Sequence, residues 1–309
     1  MDSKYDLHPD LDKYEKLRTD VIPSLIPTCQ KIMDVLYRLE KSDDKVSVYT
    51  IEIPSFDKHL LRVLVYSPKK INKVTPAMIF YHGGGWCMQA GPHHFKMARK
   101  FCEILGCKVF FIDYRLAPKY KYPFAPQDCF SAYRWIRFNA EELNINPDEI
   151  ILCGDSAGGN LAIVTNLMAK DFGFPASAGQ ILLYPVVSHR MNTQSMKEFT
   201  DVPVAKTENI KKYFEIYLGD VEINDYSYIS PLGVNSLLGM PPTYIEVAEF
   251  DCLRDEGIKM FEKLKNNHNN AKLNFVKGAM HGCDVEIESD LVKECFNQRI
   301  KFINKILDE

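Results

Sequence analysis

Residues 151–160 read Ile-Leu-Cys-Gly-Asp-Ser-Ala-Gly-Gly-Asn, an apolar run that ends on Ser156, held between Gly154 and Gly158. The run suits a short buried strand, and residues 160–169 continue in a pattern that suits a helix. A serine at such a strand–turn–helix junction can be lifted off a sheet as a nucleophile, because flanking glycines leave room for a tight turn. The helix that starts beside it adds backbone N–H donors and a positive dipole end. A glycine-rich connector with an ordinary serine has the same local sequence. The reading therefore depends on whether the chain also supplies a base, an orienting acid and an anion site.

Outward from this stretch, residues 77–81, 109–112, 150–153, 181–184 and 244–248 form short apolar runs of the kind buried on both faces of a parallel sheet. Between them, residues 94–105, 127–143, 157–170 and 257–267 read as helices. This alternation predicts an α/β fold with right-handed crossovers. Roughly the first 40 residues read as helical, with Ile32, Val35, Leu36 and Leu39 at helical spacing. Alternating segments at 46–53 and 60–66 then predict a hairpin exposed on one face. Residues 188–238 interrupt the pattern with one good helix, 208–218, and little strand. That insertion and the N-terminal helices are expected to form a lid, where loops bring specificity.

The totals are ordinary for a soluble globular protein: 309 residues, 46% hydrophobic and 26% charged. A net charge of −3 offers no polycation for nucleic acid. The longest apolar runs are too short to span a bilayer, and the charged N-terminus lacks a signal-peptide core. The nine cysteines show neither CxxC nor zinc-ligand spacing. They read as small hydrophobes in a reducing, cytoplasmic compartment. Cys87, Cys153, Cys252 and Cys283 lie near proposed site elements, but none is on the turn that carries Ser156. Self-association into a homo-oligomer stays open.

A serine needs a base. In this fold class the order is Ser, then Asp or Glu, then His, and only His189, His268 and His281 follow Ser156. His189 opens the insertion and His268 sits in a run of asparagines. His281, after the strand-like 272–277 and in the loop Gly278-Ala-Met-His-Gly282, is the expected base. Strand 244–248 leads into four acids: Glu249, Asp251, Asp255 and Glu256. Asp251 is nearest the loop, whereas Asp255 and Glu256 suit the N-terminus of the next helix. His82-Gly-Gly-Gly-Trp86 follows a strand, and its bare amides, with that of Ala157, could hold an oxyanion. It lacks the P-loop lysine and the G-x-G-x-x-G spacing of nucleotide sites. Gly154-Asp-Ser156 could also be read as the serine loop of a chymotrypsin-type protease. The helix after it and the alternating pattern oppose that.

With these parts in order, the chain resembles the hormone-sensitive-lipase-like family of α/β-hydrolase esterases from about residue 75 onward. The resemblance rests on residues 82–86, Asp113-Tyr-Arg-Leu-Ala-Pro118, Tyr122-Pro-Phe-Ala-Pro126 with Asp128, residues 154–160, residues 251–255 and His281-Gly282. It implies an α/β-hydrolase fold: a mostly parallel sheet flanked by helices, one domain over 1–309 with a helical cap from about 1–42 and 188–238. It further implies Ser156 as nucleophile, His281 as base, Asp251 as orienting acid, and the amides of Gly83, Gly84, Gly85 and Ala157 as oxyanion hole. The implied activity is a serine carboxylesterase (lipase-like, without metal or cofactor) hydrolysing small, fairly apolar esters of short to medium acyl chains through an acyl-enzyme. A catalytically inactive ligand-binding protein, an amidase and an acyltransferase share the constellation. Asp113 to Pro118 and Asp128 read as structural fixtures, and Met191, Phe199, Tyr213 and Tyr217 fit a pocket wall or plain core equally. Cys252 stands where the family commonly has proline, and Cys283 where an aromatic or apolar residue is usual; both bear on pocket width.

Overall fold

The computed structural model describes residues 4–70, 73–220, 222 and 225–308. Its centre is one eight-stranded sheet made of β1 (Val46–Pro54), β2 (Leu60–Pro68), β3 (Thr75–Tyr81), β4 (Lys108–Ile112), β5 (Ile145–Asp155), β6 (Gly179–Leu183), β7 (Thr243–Phe250) and β8 (Ala271–Met280). The spatial order is β1-β2-β4-β3-β5-β6-β7-β8. β1 runs antiparallel to β2, and β2 antiparallel to β4; the remaining pairs are parallel. The central strands are buried along nearly their whole length, which is why they read as unbroken apolar runs.

α2 (Pro92–Leu105) and α8 (Asp290–Leu307) pack together against the sheet. α3 (Phe124–Phe138) and α4 (Ala157–Asp171) form a second packed pair, with α7 (Arg254–Asn266) on β7 and β8. Helix α4 is buried from Ala157 to Ala169, apolar nearly all round because sheet and α3 enclose it. From β3 the chain crosses to β4 on one side, then returns to place β5 on the other. This reversal opens a crevice beyond the carboxyl ends of β3 and β5, the usual ligand site of such sheets.

Three expectations need correction. The helix expected at 127–143 is α3, which starts at Phe124 and ends at Phe138. Pro126 falls in its first turn, where a missing N–H removes no helical bond. The exposure expected of the hairpin is confined mainly to its outer strand: β1 is exposed at Tyr49, Thr50, Glu52 and Pro54, whereas β2 is largely buried. In the N-terminal region, residues 4–25 contribute only short 3₁₀ turns, Pro9–Tyr14 and Pro23–Leu25, before α1 (Ile26–Leu39). Ile32, Val35 and Leu39 on α1 are 65%, 51% and 60% exposed. The buried side runs instead through Ile26 and Tyr37. Periodicity found the helix but not its buried face, because α1 carries apolar residues on both sides.

The insertion 188–238 holds α5 (Gln194–Glu198) and α6 (Thr207–Leu218), with a 3₁₀ turn at Pro231–Gly233. Among the described residues no helix is long and apolar enough to cross a membrane.

Candidate active site

Ser156 stands between the end of β5 and the start of α4 with φ 53° and ψ −116°. A non-glycine residue rarely adopts such a backbone, and the surroundings must hold it there. The Ser156 N–H donates to Leu183 O at 2.8 Å, and Val186 N–H donates to Ser156 O at 3.1 Å, so β6 and its exit clamp the turn. Gly158 allows the close approach: a Cβ there would lie 1.9 Å from Tyr81 O.

His281 follows β8 directly, and β8 lies beside β7, which ends next to Asp251. The imidazole bridges the two: Nε2 is 3.0 Å from Ser156 Oγ, and Nδ1 is 2.7 Å from Asp251 Oδ2. Asp251 is fully buried and accepts the Leu253 N–H at 2.9 Å through its other oxygen. Burial opposes charging of His281. The charge and hydrogen bond of Asp251 outweigh it, with a smaller contribution from Asp155, and the pKa lies above the ordinary 6.5.

The other candidates are elsewhere. His189 hydrogen-bonds Ser230 and stacks on Tyr226, and His268 occupies the turn after α7. Glu249 accepts the Gly278 N–H at 2.6 Å, and Asp255 accepts the Ser195 N–H at 2.8 Å. Glu256 is buried without an ion pair among the described residues, facing the backbone of Val187 and Ser188. Burial, reinforced by the charge of Asp251, raises its pKa to about 8.

Of the four expected oxyanion donors, Gly83 is already engaged: its N–H donates to Asp155 Oδ1 at 2.9 Å. The Gly84 and Gly85 amides have no hydrogen bond among the described residues. Ala157, first residue of α4, has an amide without a partner inside the helix. Gly85, with φ 60°, lies under the Tyr213 ring, and a Cβ there would come within 2.3 Å of it.

Asp155 was not singled out in the sequence. Its Oδ2 lies 3.1 Å from His94 Nε2, while Gly91 N–H donates to His94 Nδ1 at 2.8 Å. The acceptor role of Nδ1 puts the ring proton on Nε2, facing the carboxylate. Burial would raise the Asp155 pKa, but His94, then His93 and the Gly83 amide, bring it to about 2. One carboxylate thus ties the serine turn, the glycine loop and α2 together. The sequence signal was only an acid beside the serine, and nothing linked it to His94.

Cysteines near the site are buried, and burial raises the Cys87, Cys153, Cys252 and Cys283 thiols. None is therefore poised as a thiolate. Asp113 binds Arg62, and Asp128 binds Arg115 and Ser55, as fixtures. No cluster of three His, Cys, Asp or Glu side chains able to hold a metal ion occurs among the described residues.

Ser156 and His281 open into a cavity of about 540 Å³, within the range usual for small-molecule sites. Its walls include Ile26 and Met33 of α1, and Ile210 and Tyr213 of α6. Tyr213 is wall; Phe199 and Tyr217 are buried core, and Met191 does not line the cavity.

A family model described as alpha/beta hydrolase fold matches residues 78–285. Carboxylesterase NlhH of Mycobacterium tuberculosis is 35% identical over 198 residues, 63% of this chain and 62% of that protein. The chain thus spans about three-fifths of that relative's length. An arylesterase of Saccharolobus solfataricus is 32% identical over 74% of each chain. Among solved structures, a bacterial heroin esterase superposes with TM-score 0.89 at 29% identity, covering 98% of both chains.

Proposed function

The chain belongs to the alpha/beta hydrolase fold family, within its hormone-sensitive-lipase-like esterases, and from that premise we propose that it is a serine carboxylesterase. The observation that carries this reading is the His281 imidazole, 3.0 Å from the Ser156 hydroxyl and 2.7 Å from the Asp251 carboxylate. The proposed substrates are small carboxylic esters, fairly apolar, with short to medium acyl chains.

In the proposed cycle Ser156 Oγ attacks the acyl carbonyl as His281 Nε2 takes its proton. Asp251 keeps the other ring proton on Nδ1 and stabilises the imidazolium that forms. The amides of Gly84, Gly85 and Ala157 receive the oxyanion; removing one such donor typically costs roughly 3 kcal/mol of barrier. Gly83 has a different part: bonded to Asp155, it fixes the loop that presents its neighbours. The imidazolium then protonates the departing alkoxide. Water, deprotonated by His281, releases the acid from Ser156.

The N-terminal segment and residues 188–238 act in this reading as a cap on a single catalytic domain. Its support is the cavity wall, which α1 and α6 build together over the serine.

The test is a series of p-nitrophenyl esters of increasing acyl length, run beside Ser156→Ala and beside labelling with an organophosphate. Turnover confined to the wild-type protein, with a covalent adduct on Ser156, is expected. Undiminished turnover in the variant would move the chemistry to another residue. A wild type with neither turnover nor adduct would make this a ligand-binding protein.

A further inference from the structure

His93 lines the cavity that holds Ser156 and His281. Neither of its ring nitrogens makes a hydrogen bond among the described residues, and neither is sealed from the cavity. Its neighbour cannot exchange places with it: His94 is fixed between the Gly91 amide and Asp155, with the two rings 3.9 Å apart. Burial, then the proximity of His94, pushes the His93 pKa down to about 3. The ring is therefore neutral at ordinary pH, with one N–H donor and one lone-pair acceptor.

Several other polar groups of the cavity are engaged, while Gln89 Oε1 and the Trp86 indole N–H have no partner among the described residues but are buried away from the open space. Tyr184 donates to Asp284, Tyr14 bonds Glu286, and the Asn209 amide is bound to the backbone of residues 19 and 21. The Tyr213 hydroxyl, on the α6 wall, is like His93 in having no partner among the described residues. Much of the remaining wall is aliphatic, including Ile26, Met33, Val204 and Ile210. In a largely apolar pocket, a few free polar groups set which ligand is oriented.

We infer that His93 is a substrate-recognition residue that hydrogen-bonds a polar substituent of the ester, a hydroxyl, carbonyl or amide group. This inference rests on the ester-hydrolase reading and narrows it. The favoured substrates are small esters that carry one such group on an otherwise apolar frame, rather than plain alkyl esters. An ester without the group leaves the imidazole unmatched when the cavity closes around it, which is how a polar site rejects an apolar analogue.

The test compares ethyl butyrate, ethyl 3-hydroxybutyrate and 2-hydroxyethyl butyrate by pH-stat, in wild type, His93→Phe, His93→Gln and His93→Ala. The second and third esters place the hydroxyl on the acyl and the alcohol side respectively. Wild type is expected to favour one hydroxylated ester over ethyl butyrate by roughly tenfold in kcat/KM, the size of one net hydrogen bond. His93→Phe removes that preference by losing rate on the hydroxylated ester and gaining it on ethyl butyrate, while His93→Gln restores part of it. If His93→Phe lowers the melting temperature, His93→Gln and His93→Ala carry the comparison. Equal loss on all three esters, or no change in preference, overturns the inference, as does a wild type without preference. Turnover of ethyl butyrate without any preference leaves the esterase reading intact. Failure of all three esters, with no organophosphate adduct on Ser156, overturns that reading and the inference with it.

Discussion

Asp251 and His281 form the contact on which the proposed chemistry depends, and its consequences are measurable at those two side chains. Because the carboxylate's charge and hydrogen bond overcome burial, His281 loses its proton above the ordinary imidazole value of 6.5. A base must be neutral to accept a proton, so kcat/KM should fall as pH drops through a midpoint above 6.5. In Asp251→Asn the raising influence is gone and burial remains, so the midpoint should move to lower pH. The same variant should lose roughly 10⁴-fold in kcat, because the amide no longer holds the productive tautomer. A pH profile and a single-turnover rate on both proteins check the pair; an unmoved midpoint would separate Asp251 from His281.

Among the elements, the N-terminal segment and α6 are joined by one buried amide. Asn209 Nδ2 donates to Thr19 O at 2.8 Å, and Val21 N–H donates to Asn209 Oδ1 at 3.4 Å. Thr19 Oγ1 adds a bond to Val204 O at 2.6 Å, and Lys206 pairs with Asp20 at 2.5 Å. Upstream, Tyr14 and Lys13 hold Glu286 in the turn after His281. Downstream, Gln30 donates to Cys87 O and Ala117 O at 2.6 and 2.8 Å. The segment is thus fastened on both sides of the cavity and clasped in the middle. Removing the clasp in Asn209→Ala leaves the buried Val21 N–H and the Thr19 carbonyl without their partner, which favours local opening by roughly tenfold. Limited proteolysis should then cleave faster between residues 15 and 25, and KM should rise more than kcat falls. Wild-type cleavage rates in the variant would deny the clasp its role.

Across the whole molecule, buried charge sets the response to pH. Arg299 is fully buried between Glu246 and Asp284, and Asp284 accepts from Tyr184, whose ring lies 4.8 Å from that of His281. Those carboxylates have a cation; Glu256 has none within hydrogen-bonding reach. Its pKa is 4.5 ordinarily and about 8 in the fold. Below 4.5 both states hold the proton; between 4.5 and 8 folding takes one up, so the contribution of Glu256 to stability declines as pH rises through that window. Glu256→Gln, which cannot ionise, should flatten the decline. Melting temperatures of both proteins from pH 4.5 to 8 test this, and parallel curves would place the proton elsewhere.

Much of this architecture was legible because its signals are local. Uninterrupted apolar runs marked the parallel strands, and the glycines at 83–85 and around Ser156 marked where backbone must come close. Chain order cut the eight histidines to three, and the loop after a strand singled out His281 among them. Where the signal was ambiguous the reading stopped short: α1 is apolar on two sides, and only its contacts decide which side is buried.

The sequence by itself determined the strand and helix alternation, the serine turn, the glycine loop and the histidine that could serve it. Only the tertiary structure decided that Gly83 bonds Asp155, that His94 belongs to the same cluster, that Glu256 lies buried without a cation and that His93 opens into the cavity. The physical reason is range. Periodicity and turn chemistry act over a few residues. A hydrogen bond between residues 83 and 155, or the burial of a carboxylate, depends on which distant segments the sheet brings side by side.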